Sequence, residues 1–96
     1  MIVEAHKKKI NKDIEKLPKY AKEEAAKQIE VLLKAEKLSD VPHVIPMEGT
    51  NEPYFRLKFG DYRMMFYYRE EKETITILSI SHRKDAYKRY KLPWNQ

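Results

Sequence analysis

The chain has 96 residues, of which 42% are hydrophobic and 36% charged, and it contains no cysteine. This length and composition predict one globular domain over residues 1–96, and no apolar run reaches the roughly 20 residues that a membrane span requires. The lack of cysteine excludes disulfides, thiolate metal sites and a thiol nucleophile. We expect a cytoplasmic protein.

Positive charge is concentrated in the second half of the chain. Residues 1–48 hold ten Lys/Arg and nine Asp/Glu, whereas residues 49–96 hold ten and six, and the formal net charge is +5. A basic excess in one half favours an anionic partner there. Nucleic acid is the first candidate and an acidic protein segment is the second.

The N-terminal part predicts a short strand over residues 2–5 followed by two helices. The first helix is predicted over residues 6–17, where Ile10, Ile14 and Leu17 fall on one helical stripe, and Pro18 ends it. A short helix, a proline break and a longer helix are typical of an antiparallel helical hairpin.

The second helix is predicted over residues 19–38. Its apolar stripe consists of Ala21, Ala25, Ile29, Leu32 and Leu33. Charged residues occupy the other side, so the helix is expected to lie with its apolar stripe on a core.

The C-terminal part predicts an antiparallel sheet. Residues 39–53 contain three prolines and are expected to form an ordered loop, and strands are expected at 54–59, 62–69 and 74–81. Gly60-Asp61 fits a two-residue hairpin turn, and residues 70–73 fit a polar turn. A short helix is expected over residues 83–90.

Strand alternation assigns each side chain to a face. A turn at Gly60-Asp61 pairs Lys58 with Arg63, and a second turn centred on residues 71–72 pairs Arg63 with Ile80. One face is then apolar and suited to the helices. The other face is expected to carry these residues: Tyr54, Arg56, Lys58, Arg63, Met65, Tyr67, Arg69, Ile80 and His82. Neighbouring like charges are mildly destabilising in a sheet, so this face is unusual for a purely structural surface.

Several segments together resemble the RelE/ParE toxin superfamily of type II toxin–antitoxin systems. They are Glu48-Gly49, residues 54–63 (YFRLKFGDYR) and residues 79–87 (SISHRKDAY), with residues 12–18 (KDIEKLP) on the first helix. The resemblance covers essentially the whole chain. It implies an α+β fold of order β-α-α-β-β-β with a short C-terminal helix, in which two N-terminal helices pack on one face of a twisted antiparallel sheet. It also implies a cognate antitoxin as partner.

Two activities occur in this superfamily, and the resemblance favours the RelE-like branch. RelE-like members are endoribonucleases (mRNA interferases) that cut messenger RNA in the ribosomal A site, whereas ParE-like members inhibit DNA gyrase by binding. The alternatives are a ParE-like gyrase inhibitor or a non-toxic relic that still binds antitoxin. The ribonuclease is favoured by the presence together of Lys58, Arg63, Arg83 and Tyr87. Its further expected partners are mRNA and the ribosome, including 16S rRNA.

The resemblance implies a catalytic set composed of Arg56, Lys58, Arg63, His82, Arg83 and Tyr87. Arginines that face the reacting phosphate would stabilise its developing charge. Lys58 is the candidate general base, because neighbouring arginines would disfavour its protonated form, and His82 is the alternative base or acid. Arginine at position 56 stays protonated and serves only as a phosphate ligand. Tyr87 would stack on a base or orient a proton donor.

Three further residues are expected to bind RNA, namely Tyr54, Arg69 and Lys84. RNA supplies its own nucleophile, the 2′-hydroxyl, so no cofactor or metal is expected, and the three histidines show no metal-ligand spacing. Ordinary alternatives stay open for several of these residues. Arg83 and Lys84 would be solvated cations, Tyr87 a packed aromatic residue and His82 a strand-end histidine.

Overall fold

The computed structural model describes residues 1–47 and 53–86. The elements, in chain order, are β1 (Ile2–Ala5), α1 (Lys7–Glu15), α2 (Lys19–Lys34), β2 (Val44–Pro46), β3 (Tyr54–Phe59), β4 (Tyr62–Arg69) and β5 (Thr74–His82). Single 3-10 turns lie at Leu38–Asp40 and Glu70–Lys72. The expected order of helices and strands is confirmed, and the expected tail helix falls largely outside the described residues.

The strands form one five-stranded sheet in the order β1-β5-β4-β3-β2. Consecutive strands from β2 to β5 pair antiparallel, but β1 pairs parallel with β5, from Ile2 opposite Thr74 to Ala5 opposite Ile77. The α+β architecture is therefore as predicted, while the sheet is mixed. A parallel pair requires a long connection, which here contains the two helices and strands β2, β3 and β4.

His6 caps the N-terminus of helix α1, because its Nδ1 accepts a hydrogen bond from the Lys9 backbone N–H at 3.4 Å. Helix α2 begins after Pro18 and ends at Lys34, four residues before the predicted end, because Ala35 adopts an extended conformation. The predicted apolar stripe is wrong at one position within the helix. Leu32 is fully buried, whereas Leu33 is 52% exposed.

The loop predicted over residues 39–53 contains a strand that the sequence did not indicate. Val44, Ile45 and Pro46 pair antiparallel with β3 as the short edge strand β2. Three prolines in this segment argued against a strand, yet an edge strand tolerates proline because one side of it needs no N–H donor.

The core lies between the helices and one face of the sheet. The helices contribute Ile10, Ala21, Ala25 and Leu32. The sheet contributes Leu57, Phe59, Met64, Phe66, Ile75, Ile77 and Ile80. The apolar face predicted from alternation is confirmed, with Ile80 added to it.

Ile80 changes face because β5 contains one extra residue. Phe66 lies opposite Ile77, but Met65 lies opposite Ser79, so Leu78 has no partner across the ladder. This β-bulge shifts the register by one and inverts every later side chain. Arg63 consequently pairs with Ser81, and the predicted pairing of Arg63 with Ile80 is wrong.

The turn between β3 and β4 is the predicted two-residue hairpin, with Phe59 opposite Tyr62. Gly60 has a φ of 60°, while Asp61 is not among the residues with positive φ. A positive φ at the first central position is the pattern of a type II′ turn, which matches the right-handed twist of the strands. The turn therefore depends on glycine at position 60.

Replacing Gly60 by alanine tests this dependence. Apart from its two chain neighbours, no heavy atom of residues 1–47 and 53–86 lies within 4 Å of a Cβ placed there, so we attribute the expected cost to backbone strain. We expect Gly60→Ala to lower the free energy of unfolding by about 1–2 kcal/mol, measured by urea denaturation. Gly60→Asn is the matched control and should cost less, because asparagine tolerates a positive φ. Equal stability of wild type and Gly60→Ala would contradict the strained turn.

Candidate active site

Three cationic side chains lie close together on the sheet face opposite the helices. Lys58 pairs directly with Arg63 across β3 and β4, and Arg56 pairs with Met65 two residues further along. We call Arg56, Lys58 and Arg63 the cationic face. Its placement on one side of the sheet confirms the hairpin register predicted from the sequence.

Arg63 is held in place by its own turn. Its Nη1 donates hydrogen bonds to the Gly60 carbonyl at 3.0 Å and to the Tyr62 carbonyl at 2.8 Å. These bonds use one corner of the guanidinium. Arginine carries five N–H donors in a fixed planar fork, so the remaining edge is suited to a phosphate or carboxylate.

Arg83 comes to the same end of the sheet from β5. Its backbone N–H donates to the Asp61 carbonyl at 2.7 Å, and its Nε lies 3.8 Å from Asp61 Oδ1. Both side chains are more than half exposed, so the ion pair itself contributes little to stability. The backbone hydrogen bond instead keeps Arg83 beside the β3–β4 turn. The sequence indicated Asp61 only as a turn residue, but the structure shows that it contacts Arg83 through both its backbone and its side chain.

The positive charges are close enough to influence one another. Burial lowers the pKa of the Arg63 guanidinium, and the charges of Arg56 and then Arg83 lower it further, while Asp61 opposes them. Arginine remains protonated at any ordinary pH, so the consequence is electrostatic. Arg56, Arg63 and Arg83 form one region of positive potential around Arg63.

His82 lies on the other side of the sheet from the cationic face. The bulge places it opposite Tyr62, and the two rings meet edge to face with centroids 5.3 Å apart. Its Nδ1 accepts a hydrogen bond from the Lys84 backbone N–H at 3.1 Å. The prediction that His82 shares a face with Arg63 is therefore wrong, because it assumed a β5 without the extra residue.

Tyr62 links this histidine to the helices. Its ring stacks on Phe59 and meets the ring of Tyr20 edge to face. Burial raises the pKa of Tyr62, as do hydrogen bonding and charge interaction with Tyr20 and the negative charge of Asp61. Tyr62 is thus a neutral packing residue that supports the turn from the helix side.

The predicted RNA-binding residues Tyr54 and Arg69 lie at the far end of the cationic face. Tyr54 meets Tyr67 edge to face at 5.1 Å, and the Arg69 guanidinium lies 5.6 Å from the Tyr67 ring centre. Arg69 and Arg63 are six residues apart on β4, which corresponds to about 20 Å at roughly 3.4 Å per residue. The structure therefore arranges aromatic rings and cations in one row along the sheet.

Two predicted residues belong to the segment after β5. Lys84 is exposed in the turn that follows His82. Tyr87 lies outside the described residues, and its predicted role stays a prediction. The geometry of the site is accordingly defined by Arg56, Lys58, Arg63 and Arg83.

Residues 1–47 and 53–86 contain neither a metal-binding cluster nor a membrane-spanning helix. Within these ranges no three His, Cys, Asp or Glu side chains are grouped so that they could hold a metal ion. No helix in the same ranges has the length and apolar character needed to cross a membrane.

A row of cations with one fixed guanidinium has a definite chemical capacity. It can bind successive phosphates of an extended strand and can stabilise added negative charge at one phosphorus atom. Fold and site together define a small α+β domain with a cationic sheet face.

Comparison with known proteins places the chain in a family. Residues 6–87 match the family model for the ParE toxin of the type II toxin–antitoxin system parDE. The chain therefore belongs to this family, within the RelE/ParE toxin superfamily, and it is the toxin of a type II toxin–antitoxin pair. A search of curated proteins found no match.

Solved structures show the same fold. The RelB–RelE complex from Methanococcus jannaschii matches with a TM-score of 0.72 at 21% identity over 88% of this chain and 94% of that chain. The archaeal RelE–RelB complex from Pyrococcus horikoshii OT3 matches with a TM-score of 0.68 at 28% identity, covering 88% and 97%. The intact E. coli RelBE complex matches with a TM-score of 0.63 at 16% identity, covering 84% and 94%.

The like-charged pair of Lys58 and Arg63 yields a stability prediction. Lys58→Glu would place opposite charges across the strands, so we expect the free energy of unfolding to rise by about 0.2–1 kcal/mol at low salt. The gain should shrink as added salt screens the exposed pair.

Urea denaturation at two salt concentrations measures this change. Lys22→Glu, at an exposed position on α2, is the control for a general effect of net charge. A loss of stability in Lys58→Glu, or an equal gain in both variants, would contradict the proposed repulsion.

Proposed function

We propose that this toxin is a ribosome-dependent endoribonuclease that cleaves messenger RNA in the ribosomal A site. The observation that carries the proposal is the convergence of Arg56, Lys58, Arg63 and Arg83 at one end of the sheet. A surface selected for stability alone would not place a lysine opposite an arginine and add two more arginines nearby. A phosphate diester that gains negative charge as it reacts provides a reason for this arrangement.

The proposed reaction requires only groups that RNA and this chain possess. The 2′-oxygen of one ribose attacks the adjacent phosphorus while its proton passes to a general base. The bond from phosphorus to the 5′-oxygen breaks, and that oxygen takes up a proton. The products are a 2′,3′-cyclic phosphate and a 5′-hydroxyl, with no change of oxidation state.

Arg63 is the central phosphate ligand in this proposal. Its contact with two carbonyls of the turn fixes the guanidinium before substrate arrives, so little reorganisation is needed during the reaction. Arg56 and Arg83 would bind the non-bridging oxygens or the neighbouring phosphates. Tyr87 would stack on a base or orient a proton donor, as the resemblance to the RelE-like toxins implies. Lys84 would contact the RNA backbone.

Lys58 is the stronger of the two proposed bases. It is exposed directly opposite Arg63, on the face that would hold the phosphate. The ring of His82 instead packs against Tyr62, with one nitrogen engaged by the Lys84 amide. A proton acceptor must lie within hydrogen-bond reach of the reacting hydroxyl, so the face assignment favours Lys58.

The proposed partners are messenger RNA on the ribosome, including 16S rRNA, and a cognate antitoxin. The matched RelB–RelE structures are antitoxin–toxin complexes, which supports an antitoxin for this chain. An acidic or amphipathic antitoxin segment would complement the basic second half of the chain. A cytoplasmic site of action follows from this proposal.

Inhibition of DNA gyrase is the second candidate function. The family model that matches this chain is that of the ParE toxin of the parDE system. This match is the specific observation in favour of gyrase inhibition. Such an activity would act by binding and would not require a proton acceptor at position 58. The two functions therefore differ in their dependence on individual cations.

Induced expression followed by primer extension on abundant transcripts separates the two candidates. We expect discrete, codon-phased cuts that disappear in Arg83→Ala, because the variant loses a charge that acts on Arg63. Lys22→Ala, exposed on α2, is the matched control and should cut like the wild type. Intact transcripts together with double-strand DNA breaks would contradict the ribonuclease and favour gyrase inhibition.

A second experiment isolates the proton chemistry of Lys58. Lys58→Arg retains the positive charge but cannot accept a proton at neutral pH. If Lys58 is the base, both Lys58→Arg and Lys58→Ala should lower kcat on programmed ribosomes by about 10²–10⁴-fold. Arg56→Lys, the reverse exchange at a charge-only position, should retain most activity. Full activity of Lys58→Arg would show that position 58 contributes charge alone.

A further inference from the structure

Asp13 on α1 is the only buried acidic side chain in residues 1–47 and 53–86, with 5% of its surface exposed. Its Oδ2 accepts a hydrogen bond from the Ile80 backbone N–H at 3.0 Å, across 67 residues of sequence. Lys9 Nζ lies 3.1 Å from the same oxygen and offsets its charge. This carboxylate therefore ties the first helix to the strand that leads into Arg83.

The bond falls where β5 loses a neighbouring strand. β1 ends at Ala5, opposite Ile77, so residues after Ile77 have no strand beside them on that edge. A buried amide without an acceptor is costly, and a charged acceptor forms a stronger bond than a neutral one. Asp13 thus takes the place of the missing strand at Ile80.

The same bond distinguishes the two registers open to β5. Successive residues of a strand alternate both their side chains and the direction of their N–H groups. In the observed, bulged register the Ile80 N–H points to the outer edge, where Asp13 lies. In a regular ladder, with Leu78 paired to Met65, Ile80 would lie opposite Arg63 and its N–H would point toward β4.

The register in turn sets the position of Arg83. Tyr62 lies opposite His82, and the next pair outward is Asp61 with Arg83, joined by the 2.7 Å backbone bond. From that position the charge of Arg83 acts on Arg63. In the unbulged register Arg83 would pair one residue further along the β3–β4 turn, and its side chain would point to the opposite face of the sheet.

We propose that Asp13 is a positioning residue of the candidate active site, acting through the Ile80 amide to hold β5 in the bulged register. Asp13 lies on the helix side of the sheet and need not contact RNA. Its effect on cleavage rests on the proposed ribonuclease function, whereas its effect on the register can be observed without it.

Asp13→Leu removes the acceptor and keeps a side chain branched at Cγ, and Asp13→Asn keeps a neutral acceptor. In Asp13→Leu we expect the Ile80 amide to exchange with solvent at least about 10-fold faster. The Met64–Ile80 cross-strand NOE should weaken, and kcat on programmed ribosomes should fall about 10- to 100-fold at similar KM. Asp13→Asn should recover part of each quantity.

Leu32→Ala is the control for a general loss of stability, because Leu32 is fully buried on α2. Its kcat per folded molecule should equal that of the wild type. Asp13→Leu with a protected Ile80 amide, the Met64–Ile80 contact and unchanged kcat per folded molecule would overturn the inference. If Asp13→Leu does not fold, Asp13→Ala, which also removes the acceptor, decides, and a wild-type Ile80 exchange rate with full kcat per folded molecule would overturn the inference.

The experiments distinguish a failure of the ribonuclease proposal from a failure of the positioning role of Asp13. If the wild type does not cut messenger RNA, the ribonuclease proposal falls, and the exchange rate and NOE of the Asp13 variants still decide the register role. If the wild type cuts and the Asp13 variants retain both register and rate, the positioning role falls alone.

Discussion

The pairing of β4 with β5 is the constraint on which both the core and the candidate site depend. β5 lies between β1 and β4, and a single extra residue, Leu78, divides it into two segments of opposite register. Because side chains alternate across a strand, this one residue decides that Ile80 enters the core and that Ser81 faces Arg63. The apolar layer and the cationic face are therefore set by the same hydrogen-bond ladder.

The cationic face shows how the fold accommodates charges that repel one another. Lys58 and Arg63 lie opposite each other, and Arg56 and Arg83 add to the same potential. The tightly buried opposite face, with Leu57, Met64 and Phe66, stabilises the hairpin that carries them. Stability supplied by the core thus permits a surface arrangement that like-charge repulsion disfavours, a common relation between stability and function.

The family match and the structural matches describe different aspects of the molecule. The fold is shared by RelE structures at low identity, and a fold by itself does not determine an activity. What would separate a ribonuclease from a gyrase inhibitor on this scaffold is the chemistry of a few side chains at one end of the sheet. Lys58 and Arg63 are central to that distinction in the proposed reaction, where Lys58 accepts a proton and Arg63, fixed by two carbonyls of the turn, binds the phosphate.

The sequence by itself determined the helices, strands β3 and β4, the Gly60-Asp61 turn and the shared face of Arg56, Lys58 and Arg63. These features follow from local periodicity and from one tight turn, which need no distant contact. A signal for the bulge was also present, since Ile75 and Ile77 are two residues apart whereas Ile77 and Ile80 are three apart. Only the tertiary structure decided the rest. Edge strand β2 exists because β3 offers it a partner, His82 turns toward Tyr62 because the register shifts, and Asp13 reaches Ile80 because β1 ends early. Each of these depends on segments far apart in the chain, whose alignment no local pattern specifies.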